Sequence, residues 1–201
     1  MHRTAACPET APQTMSGNSE GWRFWMILPG TAVLASPLQT SGSVLRWPLA
    51  TMQAQCPLPH MPPAPDCRCG IYADHTAIQA YTRMEHWRQT FGTWLPMLGP
   101  GVVPVCAIGR IALVDAVEYE LVLKPGVWPQ LLPPGLGEGY RELRARTASL
   151  IELYLCGDDW KLAAQLAERY QVPVMCQPQQ SFVHQSKGVG VVTPPTPPVA
   201  A

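Results

Sequence analysis

Residues 56–73 read CPLPHMPPAPDCRCGIYA and bring three cysteines, one histidine and five prolines into a short loop. The candidate metal ligands, with the spacing C-x3-H-x6-C-x-C, are Cys56, His60, Cys67 and Cys69. Three thiolates and one imidazole are a complete tetrahedral set for zinc, which takes sulfur and nitrogen donors at structural sites. The prolines lower the entropy that the loop loses on closing, and Gly70 allows the backbone to turn beside the metal. The stretch therefore predicts a structural zinc site that staples the loop.

Two other interpretations of this loop stay open. Its spacing differs from that of paired C-x2-C knuckles, so the cysteines can also be unligated buried thiols, or a disulfide or redox pair. A closed four-ligand zinc site leaves no position for water and stabilises folding without catalysing hydrolysis. If His60 is not a ligand, water can take its place and an enzyme with an open zinc site becomes the alternative. The H-x-E and P-C-x2-C elements of zinc deaminases are absent from the sequence.

The composition describes a foldable chain without a strong overall charge. Hydrophobic residues make up 47% of the 201 residues, which is enough to build a core. Lys and Arg together number 14, as do Asp and Glu, so a net charge of zero provides no general attraction to nucleic acid or anionic lipid. Seven cysteines is an odd number, which would leave one unpaired in an oxidising compartment. In a reducing cytoplasm, a cluster of cysteines is better explained by metal binding or catalysis.

An apolar segment at residues 24–38 (FWMILPGTAVLASPL) imitates the end of a signal peptide. Its upstream region is long and carries Glu9 and Glu20, and Pro29-Gly30 splits the apolar run. We therefore expect neither a signal peptide nor a transmembrane helix, and predict a cytoplasmic protein without a membrane partner.

The first half of the chain predicts short strands followed by a helix. Residues 1–20 are small and polar, and we expect a disordered leader there. Residues 21–50 hold aromatic and β-branched runs separated by turn residues, which is typical of a three-stranded meander. Residues 74–91 place apolar side chains at three- and four-residue steps, which predicts a helix capped by Asp74 and ended by Gly92.

The middle of the chain predicts further strands. A turn-rich connector at residues 93–101 marks a sub-boundary, and the apolar run at residues 102–123 predicts one long bent strand or two strands buried on both faces. Residues 140–155 fit both a helical stripe and an alternating pattern. The alternation is the cleaner of the two and predicts a strand with a break near Ala148-Ser149.

A second helix and a tail complete the chain. Asp158 or Asp159 is expected to cap a helix that runs to about Tyr170. Residues 177–201 are polar and then rich in proline, which predicts a disordered tail. The isolated cysteines, which we expect to be small buried side chains, are Cys106, Cys156 and Cys176.

Two short strings, Gly21-Trp22-Arg23 and Gly139-Tyr140-Arg141, each place a cation beside an aromatic ring. Such pairs can form a binding surface through stacking or carboxylate pairing. The candidate binding residues are Trp22, Arg23, Trp25, Tyr140, Arg141 and Arg144. The alternative is that these aromatic rings belong to the core and that the arginine stems pack over them. The chain has no G-x-S-x-G, P-loop or dinucleotide fingerprint that indicates a catalytic residue.

Several strings occur together in an order that resembles an uncharacterised family of small bacterial proteins. They are CRCGIYA at residues 67–73, GRIAL at 109–113, GYRE at 139–142 and LAERY at 166–170. The family shares the CxCGIYA motif and a later GYR(AE)-type motif, whereas Glu142-Leu143 stand in the AE positions here. The resemblance implies that the four ligands and the neighbouring strands form one unit and that the GYR segment is extended. It brings no known activity.

These observations predict one α+β domain over residues 21–176, with short antiparallel strands, two helices and a zinc-stapled loop. The leading function is a non-enzymatic, zinc-stabilised interaction or regulatory module that binds a protein partner. The first alternative is a nucleic-acid-binding module that uses the arginine and aromatic residues. The second is an enzyme with an open zinc site or a reactive C-x-C pair.

Overall fold

The computed structural model describes residues 13–14, 19–37, 45–64, 67, 69–91, 104–120, 140–177 and 190–192. The strands within these residues are β1 Gln13–Thr14, β2 Ser19–Ile27, β3 Leu34–Ala35, β4 Arg46–Trp47, β5 Thr51–Gln53, β6 Ile71–Ala73, β7 Cys106–Val114, β8 Val117–Glu120, β9 Arg141–Ala145, β10 Thr147–Cys156, β11 Val174–Gln177 and β12 Gly190–Val192. The helices are α1 Ala77–Phe91 and α2 Trp160–Tyr170. The predicted α+β class is confirmed. In the described part of the chain, neither helix has the length and apolar character needed to cross a bilayer.

An eight-stranded sheet lies at the centre of the fold. Its order is β12-β11-β10-β7-β2-β3-β4, and β5 pairs with β10. Strands β10 and β11 are parallel because α2 connects them, and the other pairs in this sheet are antiparallel. The predicted three-stranded meander is confirmed as β2, β3 and β4, which follow one another in the sheet as they do in the chain.

A second sheet of four strands, in the order β1-β8-β9-β6, lies against this central sheet. An isolated antiparallel bridge joins the two sheets at Trp22 and Asp74. The backbone N–H of Trp22 donates to the carbonyl of Asp74 at 2.7 Å, and the N–H of Asp74 donates to the carbonyl of Trp22 at 2.6 Å. The bridge fixes the position at which the chain leaves β6 and approaches α1.

Strand β7 divides the core into two parts, because alternate side chains of a strand point to opposite faces of the sheet. Ile111 belongs to the cluster that contains Leu166 of α2, whereas Ile108 belongs to the cluster that contains Met84 of α1. All four side chains are fully buried. Strand β7 is therefore buried between these two clusters, as predicted, whereas β8, the other strand of the same apolar run, is only partly buried.

The two helices begin at different kinds of cap. At α1, Thr76 Oγ1 accepts from the N–H of Gln79 at 3.3 Å and Gln79 Oε1 accepts from the N–H of Thr76 at 3.0 Å, a capping box. The predicted cap at Asp74 is wrong, because that carboxylate is buried and pairs with Arg83. At α2 the predicted cap at Asp159 is confirmed, and its carboxylate accepts a 2.9 Å hydrogen bond from the backbone N–H three residues later.

Strand boundaries differ from the sequence prediction where backbone pairing decides them. The extended interpretation of residues 140–155 is correct, but the break lies at Arg146 and not at Ala148-Ser149. Ala148 and Ser149 pair with β5 on one side and β7 on the other, so the ladder is continuous through them. The described part of the run at residues 102–123 forms two strands, with Asp115 at a positive φ of 55° between them.

Short edge strands occur in both terminal segments that were predicted to be disordered. Strand β1 pairs with β8 and strand β12 pairs with β11, and β2 begins at Ser19, before the expected boundary at Gly21. The disorder prediction is wrong for these residues because edge pairing uses backbone groups and needs no side-chain pattern. The rest of both segments, Gly92, the connector at 93–101 and residues 121–139 lie outside the described residues.

We expect Gly109→Ala to lower the free energy of unfolding by about 1 to 3 kcal/mol. A Cβ atom at this position would lie 2.8 Å from the carbonyl oxygen of Glu152, 2.8 Å from Leu153 Cδ2 and 3.0 Å from the Trp25 ring. Urea denaturation followed by tryptophan fluorescence measures the change. Val114→Ala, at the exposed end of the same strand, is the control and should change stability less; equal losses would contradict this account.

Candidate metal centre

The cysteine loop, residues 56–70, joins strand β5 of the central sheet to strand β6 of the second sheet. At its start, the backbone N–H of Ala54 donates to the carbonyl of Arg146 at 2.7 Å. At its end, Ile71 lies opposite Ala145 in the β6–β9 pair. The two ends of the loop are therefore held by neighbouring residues, Arg146 and Ala145, at the junction between β9 and β10.

The four predicted ligands lie together. Cys56 Sγ is 3.3 Å from His60 Nε2 and 3.7 Å from Cys67 Sγ, and Cys69 Sγ is 3.9 Å from His60 Nδ1. One ligand atom from each residue lies within 4.8 Å of the others. Two sulfurs bound to one tetrahedral zinc ion at about 2.3 Å are about 3.8 Å apart, so these spacings suit a single ion. The donor set Cys56, His60, Cys67 and Cys69 can hold a metal ion.

The sulfur atoms are not joined to one another. All six cysteines in the described part of the chain are free thiols. The 3.7 Å between Cys56 Sγ and Cys67 Sγ is much longer than the roughly 2.05 Å of an S–S bond. The disulfide interpretation of the loop is therefore not what the structure contains.

Local interactions separate the pKa values of the two C-x-C thiols. Partial burial raises the pKa of Cys67, but hydrogen bonds from the Cys69 backbone and from the side chains of Cys56, Cys69 and His60 outweigh burial and lower it to about 7. Burial raises the pKa of Cys69 to about 11. A metal cation favours the thiolate form of its cysteine ligands, so metal binding would offset the effect of burial at Cys69.

Gly70 makes the turn from the loop into β6. Its φ is +122°, a region that L residues rarely adopt. A Cβ atom there would lie 3.2 Å from Arg144 Cβ and 3.4 Å from Pro63 Cβ. The glycine therefore allows the loop to pack tightly against strand β9 immediately after the last cysteine.

A buried arginine on β9, Arg144, donates a hydrogen bond to the backbone of the cysteine loop. Arg144 Nε and Nη2 each lie 2.8 Å from Glu142 Oε1, and Arg144 Nη1 donates to the carbonyl of Cys67 at 3.2 Å. The guanidinium carbon is 4.1 Å from the centroid of the Tyr119 ring and 5.0 Å from that of Tyr72. Burial raises the pKa of Glu142, and the adjacent Arg144 charge opposes that rise. The pair thus connects the cysteine loop to the second sheet.

A second buried ion pair lies beside the first. Arg83 of α1 donates to Asp74 Oδ1 at 2.8 Å, and the hydroxyl of Tyr140 donates to the same oxygen. Burial raises the pKa of Asp74, and the facing guanidinium of Arg83 opposes that rise. The Asp74 charge also raises the pKa of Glu142, which shows that the two pairs lie close enough to interact.

Arg23 extends this buried network to the central sheet. Its Nη1 donates to the carbonyl of Tyr72 at 2.6 Å and its Nη2 donates to Ser36 Oγ at 3.1 Å. Its guanidinium lies 5.8 Å from the Trp25 ring centroid and 5.6 Å from that of Trp47. Burial lowers the pKa of Arg23 to about 10. The network therefore contacts both sheets and α1.

Most of the arginine and aromatic residues that were predicted to form a binding surface are buried. Buried members are Arg23, Trp25, Tyr140 and Arg144, whereas Trp22 is half-buried and Arg141 is exposed. The four buried residues are not exposed to a partner, because their side chains pack inside the protein. The alternative, arginine stems packed over core rings, describes them correctly.

Asp74, Arg83 and Glu142 were missed as parts of one network. Glu142 and Arg144 alternate with Leu143 and Ala145 along β9, so the two charged side chains share one face of the strand. Tyr119 and Tyr72 cover that face, and only the pairing of β8, β9 and β6 brings them there. Two opposite charges two residues apart on a strand were the signal in the sequence.

Arg144→Lys should lower the free energy of unfolding by about 2 kcal/mol or more, measured by urea denaturation. Lysine keeps the charge but cannot donate to the Glu142 carboxylate and to the Cys67 carbonyl in the same planar arrangement. Arg141→Lys is a matched control on the same strand. The Arg141 side chain is 50% exposed, against 9% for Arg144, and its ion pair with Glu118 should be worth less than about 1 kcal/mol. Equal losses in the two variants would contradict the role of Arg144.

Comparison of the chain with protein-family models, curated proteins and solved structures finds no match. The resemblance of the CxCGIYA and GYR strings to an uncharacterised bacterial family therefore stays a prediction. The function of this chain has to be inferred from the contacts of its own residues.

Proposed function

We propose that this chain is a non-enzymatic interaction module whose cysteine loop is held by one structural zinc ion and contacts a protein partner. The observation that carries the proposal is the convergence of Cys56, His60, Cys67 and Cys69, whose ligand atoms lie within 4.8 Å of one another. The donor types support zinc, since three soft sulfurs and one imidazole nitrogen suit it better than oxygen-seeking cations. Free thiols and a zinc site also suit a reducing compartment, so we expect a cytoplasmic protein.

The position of His60 supports a structural ion over a catalytic one. Catalytic zinc keeps one coordination position for water, with three protein ligands. Here His60 Nε2 lies 3.3 Å from Cys56 Sγ, close enough for the imidazole to supply the fourth ligand. With four protein ligands the ion stabilises the fold of the loop and activates no water.

The loop itself supports the protein partner. Leu58 and Met61 lie on either side of His60 and are 55% and 67% exposed. Burying such large apolar side chains lowers the free energy, so their exposure leaves them available to a partner. Five prolines and the proposed metal site limit the conformations of the segment that carries them, so little ordering entropy would be lost on binding. An apolar pair on a constrained loop fits a protein surface better than a phosphate backbone.

The metal proposal predicts that purified protein carries about one zinc ion per chain and that a chelator lowers its Tm by about 10 °C or more. Cys69→Ser should lose most of the zinc, because it removes one of the three thiolates. Cys176→Ser, which alters a buried cysteine outside the loop, is the control and should retain the full zinc content. A metal-free protein whose Tm does not respond to chelator would overturn the zinc proposal.

The partner proposal predicts that the double variant Leu58→Ser, Met61→Ser loses about tenfold or more of the binding shown by wild type. Capture of cellular proteins on the immobilised chain, with quantitative mass spectrometry, identifies the partner and measures the loss. Ile78→Ser removes an exposed apolar side chain from α1 and is the matched control. The zinc content of all three proteins should be equal. Undiminished capture by the double variant would locate the partner surface elsewhere.

A further inference from the structure

Strands β7 and β10 place two cysteines opposite each other. In the part of this antiparallel pair nearest the start of β7, Glu152 lies opposite Arg110 and Leu155 lies opposite Ala107. The same register, continued by one residue, places Cys156 opposite Cys106, at the last and first positions of the two strands. Neither cysteine belongs to the cysteine loop at residues 56–70.

Both thiols lie on the face of the central sheet that α1 covers. Cys106 is a member of the buried cluster that contains Met84, and Cys156 packs against that cluster. Cys156 Sγ lies 3.7 Å from Met84 Sδ. Cys106 is fully buried, whereas Cys156 is only partly buried and can be reached from solvent. The two sulfurs therefore share one side of the ladder, and one of them is accessible.

The backbone geometry of such a pair suits a disulfide. Directly opposed residues of an antiparallel pair have Cα atoms about 4.5 to 5.5 Å apart, within the range of about 4.4 to 6.8 Å that disulfides require. Their Cβ atoms point to the same face, so bond formation needs side-chain rotation and no movement of the strands. Burial raises the pKa of Cys106, and the charge of a Cys156 thiolate raises it further, as expected for neighbouring sulfurs.

We propose that Cys106 and Cys156 form a cross-strand disulfide when the protein meets a small-molecule disulfide such as oxidised glutathione. The thiolate of Cys156 attacks one sulfur of the oxidant, which breaks the oxidant's S–S bond, releases one thiolate and leaves a mixed disulfide on Cys156. The thiolate of Cys106 then attacks Cys156 Sγ and releases the second small thiolate. The protein loses two electrons and two protons, and the oxidant becomes two thiols.

Burial of the pair determines how this bond forms and what it does. Burial raises the pKa of Cys156 to about 12, and little thiolate is present at neutral pH, so exchange is slow and needs sustained oxidation. Once formed, the bond joins the two central strands of the sheet and closes a loop of about fifty residues, which restricts the unfolded chain. The oxidised protein is therefore more resistant to unfolding.

The test uses the full chain as purified, incubated with increasing concentrations of oxidised glutathione. We expect a mass loss of two hydrogen atoms, a linked peptide pair containing Cys106 and Cys156, and a Tm higher by about 5 °C or more. A reductant should reverse all three changes. Because peptide mapping is done on wild type, the result does not depend on the folding of any variant.

Variants identify the sulfurs involved. Cys156→Ser and Cys156→Ala should abolish the linked peptide, and Cys176→Ser on β11 should leave it unchanged. A stable mixed disulfide on Cys156 with no linked peptide would overturn the proposal. A disulfide between Cys156 and a residue of the cysteine loop would also overturn it. Binding of Cu⁺ by these sulfurs and Met84, with no cross-link under oxidation, would also overturn it and assign the cluster to a soft metal.

Discussion

The contacts of the buried Arg144 guanidinium hold both the cysteine loop and the second sheet in place. It contacts the carboxylate of Glu142 through two nitrogens and the carbonyl of Cys67 through a third, beneath the ring of Tyr119. A charge at this depth is tolerated only while its partners remain in place, since an uncompensated buried ion costs several kcal/mol. The loop is therefore positioned by a charge inside the protein as well as by the residues of the cluster itself.

The same physical constraint joins the two sheets. Asp74 receives the Arg83 side chain and the Tyr140 hydroxyl, and its backbone forms the bridge to Trp22 of the central sheet. Arg23 adds hydrogen bonds to β6 and to Ser36. Polar groups here take a position that most folds fill with apolar side chains. Such contacts are directional, so they define the relative placement of α1 and the strands more narrowly than apolar packing does.

The sites that carry the proposals lie in different parts of this framework. The cysteine loop is anchored at the junction of β9 and β10, and its Leu58 and Met61 side chains are exposed. The Cys106–Cys156 pair lies at the opposite end of β10, beneath α1. Zinc in the loop would limit the conformations of a recognition segment, whereas a disulfide in the sheet would stabilise the framework. The two proposals concern separate cysteines, so each can be tested without changing the other site.

The sequence by itself determined the local features: the ligand spacing of the cysteine loop, the α+β class, the meander and a helix cap at Asp158 or Asp159, of which the structure uses Asp159. Each depends on residue types a few positions apart, where spacing and propensity act directly. Only the tertiary structure decided that Asp74 is a buried ion-pair partner instead of a helix cap, and that Arg23 and Arg144 are buried. It also decided that short edge strands form in both terminal segments and that Cys106 lies opposite Cys156. These outcomes depend on pairing between distant segments, because the register of a strand and the burial of its two faces are set by its neighbours.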